Sequence, residues 1–468
     1  LIIVLPAAIL LIIVLLAYAY RDPVDLFLGL ASLVMAVVWT MGFMGLAGIP
    51  FTQMLTAVPP LLLAVGIDFG IHSINRYREE RVEGIPIEES MERTVDQLLV
   101  AFFIVTGTTV IGFSANGTSS LGPIRDFGLI AAVGIVFTFF IFGIFLPAAK
   151  VLADQKREQY GFPRFGQQPI GQEGSTVGRA LSGGVVVAKR APGIFLVAVL
   201  LVTVLASGYG AGVSTSFTQD DFLPPEDTPD YLDELPEPFA PEEYTVTATL
   251  NYLEDTFAVN AQSSVTTYVR GELRADYALE SIQRAGRNPP ASFVETDRQA
   301  QSQSIVGVIQ QYRAVNPRFD ALVARNDVDD DGVPDDNLEA IYDELFAGPY
   351  AGQAEQYLTE DYRSARVVYD IESDVSQATA AADAKELATR YRLPATATGQ
   401  TVVFQDVSDI ILESATLSLG VAMIGAAIFL VIIYRILEGN ATLGIVNLVP
   451  ILVTLALIIG TMRAIGIP

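Results

Sequence analysis

One carboxylate lies where an ionisable group is costly to place. Asp68 belongs to Gly66-Ile67-Asp68-Phe69-Gly70-Ile71-His72, and Leu61 to Gly70 contains no other charge. The run reaches polar residues only at Asn75-Arg76-Tyr77-Arg78-Glu79-Glu80. On a helix rising about 1.5 Å per residue, Asp68 falls roughly 12 Å inward from Arg76, in a hydrocarbon layer about 30 Å thick. A charge at that depth costs on the order of 3 kcal/mol, and such groups face a protein interior or a wet cavity and do work there. Asp68 therefore reads as a coupling-ion site. Desolvation disfavours its charged form, so it can take a proton from one side and release it when rewetted. His72, the only histidine in the chain, lies four residues on and on the same helix face, where it can pass protons or tune the carboxylate. Two plainer readings stay open. Asp68 can bond structurally to a neighbouring helix, and His72 can cap the helix end or bond a carbonyl.

The surrounding residues must position that acid. Gly66 and Gly70 flank it and let a partner helix approach closely. Pro59 and Pro60, eight residues upstream, remove backbone donors and predict a kink or loosening of the helix beside the titratable group. Thr106 and Thr109 on the next apolar run can relay hydrogen bonds toward Asp68, or bond to their own carbonyls one turn back. Gly128 and Ala132 form a small-residue packing face.

Stepping outward, the chain has 468 residues, 51% hydrophobic, with a net charge of −25. Between Ser214 and Ile410 stand 37 acidic and 13 basic residues, a net of −24, while the remainder holds 16 acidic and 15 basic. A nearly neutral membrane part thus carries one strongly acidic domain. That balance excludes nucleic acid as a partner, because phosphates would be repelled. It predicts a surface hydrated in concentrated salt, as in a halophilic archaeon, or simply an acidic external domain. With no cysteine, disulfide and thiol chemistry are excluded.

Apolar runs predict eight spans: Leu1–Tyr20, Leu26–Leu46, Met54–Ile74, Leu98–Ala115, Phe127–Ala149, Ile194–Val213, Ile411–Tyr434 and Leu443–Ile465. If each crosses once, Arg21, Arg76, Arg78, Arg81, Arg93, Lys150, Lys156, Arg157, Arg164, Arg179, Lys189, Arg190 and Arg435 fall on one side. The positive side is cytoplasmic, so the acidic domain is expected outside the cell membrane. The organisation predicted is a helical bundle over 1–150, a cytoplasmic linker over 151–190, a span over 191–213, the acidic domain over 214–410 and two spans over 411–468. Glu79–Asp96 has helical spacing with mixed charge and is expected to lie along the membrane. Nothing in Gln155–Gly184 resembles a nucleotide-binding loop, so ATP is not implied.

Laying Asp22–Pro50 on Asn440–Pro468 at an offset of 418 matches Leu30/Leu448, Gly42/Gly460, Met44/Met462, Gly48/Gly466, Ile49/Ile467 and Pro50/Pro468. Each segment follows a span ending in Tyr-Arg, Tyr20-Arg21 and Tyr434-Arg435. Parallel repeats of this kind recur in transporters. The expectation is a truncated chain, with a second ion-site helix following Pro468.

Gly66–Glu80 resembles the fourth helix of the resistance–nodulation–division (RND) superfamily, in its MMPL and Patched-like branch with a sterol-sensing-type bundle. Thr106-Gly107-Thr108-Thr109-Val110-Ile111-Gly112-Phe113, Phe127-Gly128 to Gly134, and Leu146-Pro147-Ala148 resemble that family's fifth and sixth helices. Asp220-Asp221-Phe222-Leu223-Pro224 resembles the start of its second extracellular domain. The resemblance implies a membrane all-α bundle, eight spans present of twelve, with an α+β ferredoxin-like extracellular domain. It further implies proton-driven export or relocation of hydrophobic molecules, by a trimer, dimer or monomer.

Within the acidic domain, Ser264–Arg270, Ala365–Ile371 and Ala395–Phe404 read as strands. Ala275–Ala285, Arg298–Tyr312 and Ala378–Tyr391 read as helices, a pattern suited to a split β-α-β sandwich. Asp327, Asp329, Asp331 and Asp335, with Gly332 at the sixth position, resemble a calcium loop. The twelfth position is Leu338 rather than Glu, so a shorter Asp-rich turn is expected in place of a full EF-hand; an acidic solvated insertion is the alternative.

No paired-acid or Ser/His/Asp arrangement suggests an enzyme. A proton-coupled exporter of lipids or other hydrophobic compounds is the leading reading. A lipid-binding, sterol-sensing-like receptor without transport is second, and an accessory to protein translocation is third.

Overall fold

The structure, a computed structural model, describes residues 4–169, 189–212, 247–249, 252, 264–372 and 375–465. Asp220–Pro224, most of the linker after residue 169, and the repeat pairs at Gly466, Ile467 and Pro468 lie outside the described residues. The chain divides into two compact units, one of Leu1–Thr215 with Ile410–Pro468 and one of Ser216–Asp409.

The first unit is helical. Its opening half comprises α1 (Val4–Tyr20), α2 (Pro23–Leu46), α3 (Val58–Val82), α4 (Ile87–Ser114), α5 (Gly122–Phe140) and α6 (Leu146–Tyr160), followed by α7 (Pro192–Gly210). Asp22 starts α2 by accepting from the amides of Val24 and Asp25, the usual role of an N-cap carboxylate. A single π turn at Ile141–Phe145 joins α5 to α6, so the two form one continuous span. Among the described residues, seven helices are long and apolar enough to cross a membrane, and α1 contributes a shorter apolar helix over Leu10–Tyr20. The protein is a multi-pass membrane protein.

Two expectations for this unit need correction. Pro59 and Pro60 do not kink the Asp68 helix. They occupy the first turn of α3, after a 3-10 turn over Gln53–Ala57, where the missing amides would have had no partner in any case. Nor is Glu79–Asp96 one surface helix. α3 runs on to Val82, the chain turns through Gly84 at φ +86°, and α4 starts after Pro86, so both spans project beyond the apolar run.

The second unit holds β1 (Ser264–Arg270), α8 (Ala278–Ala285), β2 (Glu295–Thr296), β3 (Gln299–Ala300), β4 (Ser302–Gln303), α9 (Ile305–Val315), α10 (Pro317–Arg325), α11 (Leu338–Ala347), α12 (Ala351–Ala354), β5 (Ser364–Asp370), α13 (Gln377–Ala388) and β6 (Ala395–Thr398). Four strands form a sheet in the order β4-β5-β1-β6, with every pair antiparallel. Val265, Thr267 and Val269 alternate inward along β1, as period-two strands with one buried face do. α13 packs on β1 and β6, and α9 on β4 and β5. The strand expected over Ala395–Phe404 stops at Thr398. Gly399 takes φ +102°, and Gln400 opens α14 (Gln400–Leu437), which continues as the span expected over Ile411–Tyr434. Likewise 298–303 forms short strands rather than the start of a helix, which begins at Ile305.

α14 is followed by α15 (Ala441–Val446) and α16 (Leu448–Ala464), the latter packed on α7. Asn440 caps α15 by accepting from Thr442, the same i to i+2 bond that Asp22 makes to Val24, which matches the repeat at its first position.

Candidate functional site

α3 owes its place to its glycines. A methyl group at Gly66 would lie 2.6 Å from Leu33 Cδ2 and 2.8 Å from Phe142 Cε2, and one at Gly70 would strike the Tyr20 hydroxyl. α1, α2 and the α5–α6 turn therefore approach that face as only glycine permits. Phe69 stacks on Phe102 of α4 at 4.1 Å between centroids, fixing α3 on its other side.

With those faces packed, Asp68 and His72 share the remaining one. Asp68 Oδ1 and His72 Nε2 are 3.4 Å apart, and both side chains are 63% exposed. The expected protein interior around Asp68 is thus not supplied by the described residues. Thr109 bonds the Val105 carbonyl at 2.7 Å, the plainer of its two readings. Thr106 is different: its hydroxyl is buried and has no hydrogen-bond partner among the described residues. Neither threonine bonds Asp68.

A second constellation was not anticipated. At the end of the bundle bearing Arg78 (the basic end), six ionised side chains are buried together. Asp25 Oδ2 meets the Arg78 guanidinium at 2.7 Å, and its Oδ1 meets Lys150 Nζ at 2.6 Å. Lys150 also reaches Asp154 at 2.9 Å, and Tyr77 donates to Asp154 at 2.9 Å. Arg157 forks onto both carboxylate oxygens of Asp22 at 3.0 and 2.9 Å. Three acids balance three bases, so each buried charge is paired, as burial demands. Burial pushes the Asp22 carboxyl up, but the Arg157 fork and the Phe165 and Val24 amides outweigh it and hold the group below the usual carboxylate range. Lys150, Asp154 and Arg157 recur at one-turn and two-turn intervals on α6, a single-face spacing that could have announced them.

In the second unit the Asp-rich loop is held by its own carboxylates. Asp327 Oδ2 accepts from the Gly332 amide at 2.9 Å, and Asp335 Oδ1 from Val328 at 2.9 Å, while Asp329 and Asp331 each also accept from an amide two residues on, so all four tie the loop's own backbone. Carboxylate oxygens of Asp329 and Asp331 converge with one of Glu280 within 4.8 Å of one another. Glu280 comes from α8 and carried no sequence signal. Three acidic oxygens suit a hard cation such as calcium, although Arg287 stands 3.6 Å from Asp331 and Arg284 pairs with Glu280.

Residues 1–168 match the MMPL family. That segment contains α1 to α6, the Asp68–His72 pair and the buried ion cluster. Putative membrane protein MJ1562 of Methanocaldococcus jannaschii is 36% identical over 144 residues, which is 31% of this chain and 37% of that protein. Probable transport protein MmpL8 of Mycobacterium bovis is 24% identical over 150 residues, 31% of this chain and 14% of its own. NPC intracellular cholesterol transporter 1 of Sus scrofa is 24% identical over 115 residues, 24% of this chain and 9% of its own. The chain therefore spans well under two-thirds of these relatives. Among solved structures, SecDF from Thermus thermophilus is similar at 14% identity and a TM-score of 0.45, covering 98% of this chain and 46% of that one.

Proposed function

We propose that the chain is the membrane part of a proton-driven transporter that exports or relocates lipid-like or other hydrophobic molecules, with Asp68 as the proton carrier. The observation that carries this reading is the Asp68–His72 pair, two titratable groups 3.4 Å apart on one face of a membrane-spanning helix. Support comes from the MMPL match over residues 1–168 and from relatives named as a transport protein and a cholesterol transporter. His72, on the polar side of Asp68, hands protons to it. Thr106, whose buried hydroxyl has no partner among the described residues, can accept or donate a bond in a relay.

On this reading the acidic unit stands outside the cell membrane as a porter-like domain, its surface adapted to high salt. Its strand order, with β1 between β5 and β6 and β4 outside β5, is that of a split β-α-β fold, which supports the ferredoxin-like assignment. Calcium held by Asp329, Asp331 and Glu280 stiffens the α8 side of that domain. Assembly as a trimer, dimer or monomer fits equally.

The test is a vesicle assay. Protein in lipid vesicles under an imposed pH gradient should redistribute a short-chain fluorescent phospholipid, and Asp68→Asn should abolish this while inserting normally. A fully active Asp68→Asn variant removes the coupling role.

A further inference from the structure

The buried ion cluster is closed from outside by nine residues of the linker. After α6, Gly161 turns the chain at φ +69°, and residues 161–169 double back over the α1–α2 corner. The Phe165 amide donates to Asp22 Oδ2 at 3.0 Å, the Pro163 carbonyl accepts from Arg157, and the Gln168 carbonyl accepts from Arg21 at 3.0 Å. Arg164 reaches back to the Asp154 carbonyl at 3.3 Å. Gly166, at φ +54°, lies flat on Arg21, where a methyl group would sit 2.7 Å from the Arg21 carbonyl oxygen. Arg21 itself is held at φ +51°. Two left-handed corners, one of them at a non-glycine residue, are thus fitted to each other.

We propose that residues 161–169 are a latch: docked, they hold the basic ends of α2, α3 and α6 together, and undocked, they let those ends part. Three features argue for a device rather than a passive cover. The latch has no helix or strand of its own and is held by a few polar bonds, to Asp22 and Arg157 of the cluster and to Arg21 beside it, so it belongs to the low-stability end of the fold. What it covers is ionic, and a buried ion cluster gains back in hydration much of what it loses in pairing when opened, so the two states lie close in free energy. Finally, it follows α6 directly, at the start of the connection toward α7. α3 feels the consequence, because Arg78 and Tyr77 bind it to the ions the latch covers, ten and nine residues beyond Asp68.

The inference does not depend on proton coupling, and its test needs no transport. Hydrogen exchange read by mass spectrometry on the intact protein in lipid nanodiscs separates the possibilities. Phe165→Pro removes one amide donor to Asp22, leaves all six ions in place and replaces a side chain that is half exposed. It should speed exchange about tenfold at Val24 and Asp25 and along 77–82 at the end of α3. Glu158→Gln, which breaks only the exposed contact to Arg164, should change nothing there. A short bis-maleimide bridge between Arg21→Cys and Gln168→Cys, the only thiols in the chain, should slow exchange at those same amides below the wild-type rate. Faster exchange confined to 161–169 in Phe165→Pro, or no slowing by the bridge, overturns the latch.

Discussion

Arg78→Met isolates the energetic role of the buried cluster. The guanidinium is 2% exposed and bonds both Asp25 and the Tyr20 carbonyl, while the Asp25 side chain is fully buried. Methionine fills much the same volume and removes the charge. Asp25 then keeps Lys150 alone, and Lys150 is shared with Asp154. Breaking a buried ion pair from one side costs about 3–5 kcal/mol, because the abandoned charge stays desolvated. At roughly 2–4 °C per kcal/mol, the scale for folded units of about 150–250 residues and an upper figure here, the melting temperature should fall by up to about 6–20 °C. The molecule supplies its own probe: Trp39, the only tryptophan, sits in α2 edge-on to Phe137 at 5.7 Å, so its fluorescence reports the helical unit alone. Adding Asp25→Leu should recover part of the loss, since it removes the unpaired carboxylate. A loss below about 1 kcal/mol for Arg78→Met, or a double variant no better than the single, would refute this reasoning.

Gly66→Ala should cost about 1–3 kcal/mol by Trp39 fluorescence, because the added methyl overlaps Leu33 and Phe142; unchanged melting would show that α3 has room to shift. In the second unit, burial pushes Tyr369 up to about 12 and Tyr391 well above its ordinary value. Their neutral forms stabilise the fold fully below pH about 10, and that contribution is lost as pH rises through about 12, so an ultraviolet titration should show late tyrosinates that appear together with loss of circular dichroism. Titration of all tyrosines near pH 10 in an intact fold would contradict it. Calcium at about 100 times its dissociation constant should add about 2.7 kcal/mol to the acidic unit, followed by circular dichroism, and Glu280→Gln should reduce the gain. No calcium effect at millimolar concentration, or one indifferent to Glu280, would dismiss the site.

What the sequence disclosed follows the range of the interactions involved. The spans, the Asp68–His72 face and the glycines of α3 were legible, since each depends on spacing within a few residues of one helix. The prolines misled because their effect depends on where the helix begins, and that is set by Leu55 and Val58 burying against α5 rather than by the Pro-Pro pair. The ion cluster was invisible as a unit: Asp25 is 53 residues from Arg78 and 125 from Lys150, and each base alone looked like an ordinary flanking charge. Glu280 joins Asp329 and Asp331 only through the packing of α8. The strand after Ala395 was overextended because the apolar residues Val402 to Phe404 suit a strand or a helix equally, and Gly399 decided between them.

Proton coupling is most directly tested in reverse. In vesicles with an entrapped pH dye and no imposed pH gradient, an outward gradient of the fluorescent phospholipid should drive proton movement through the wild-type protein. The account predicts that Asp68→Asn abolishes this flux and that His72→Ala slows it. Proton movement undiminished in Asp68→Asn would contradict it.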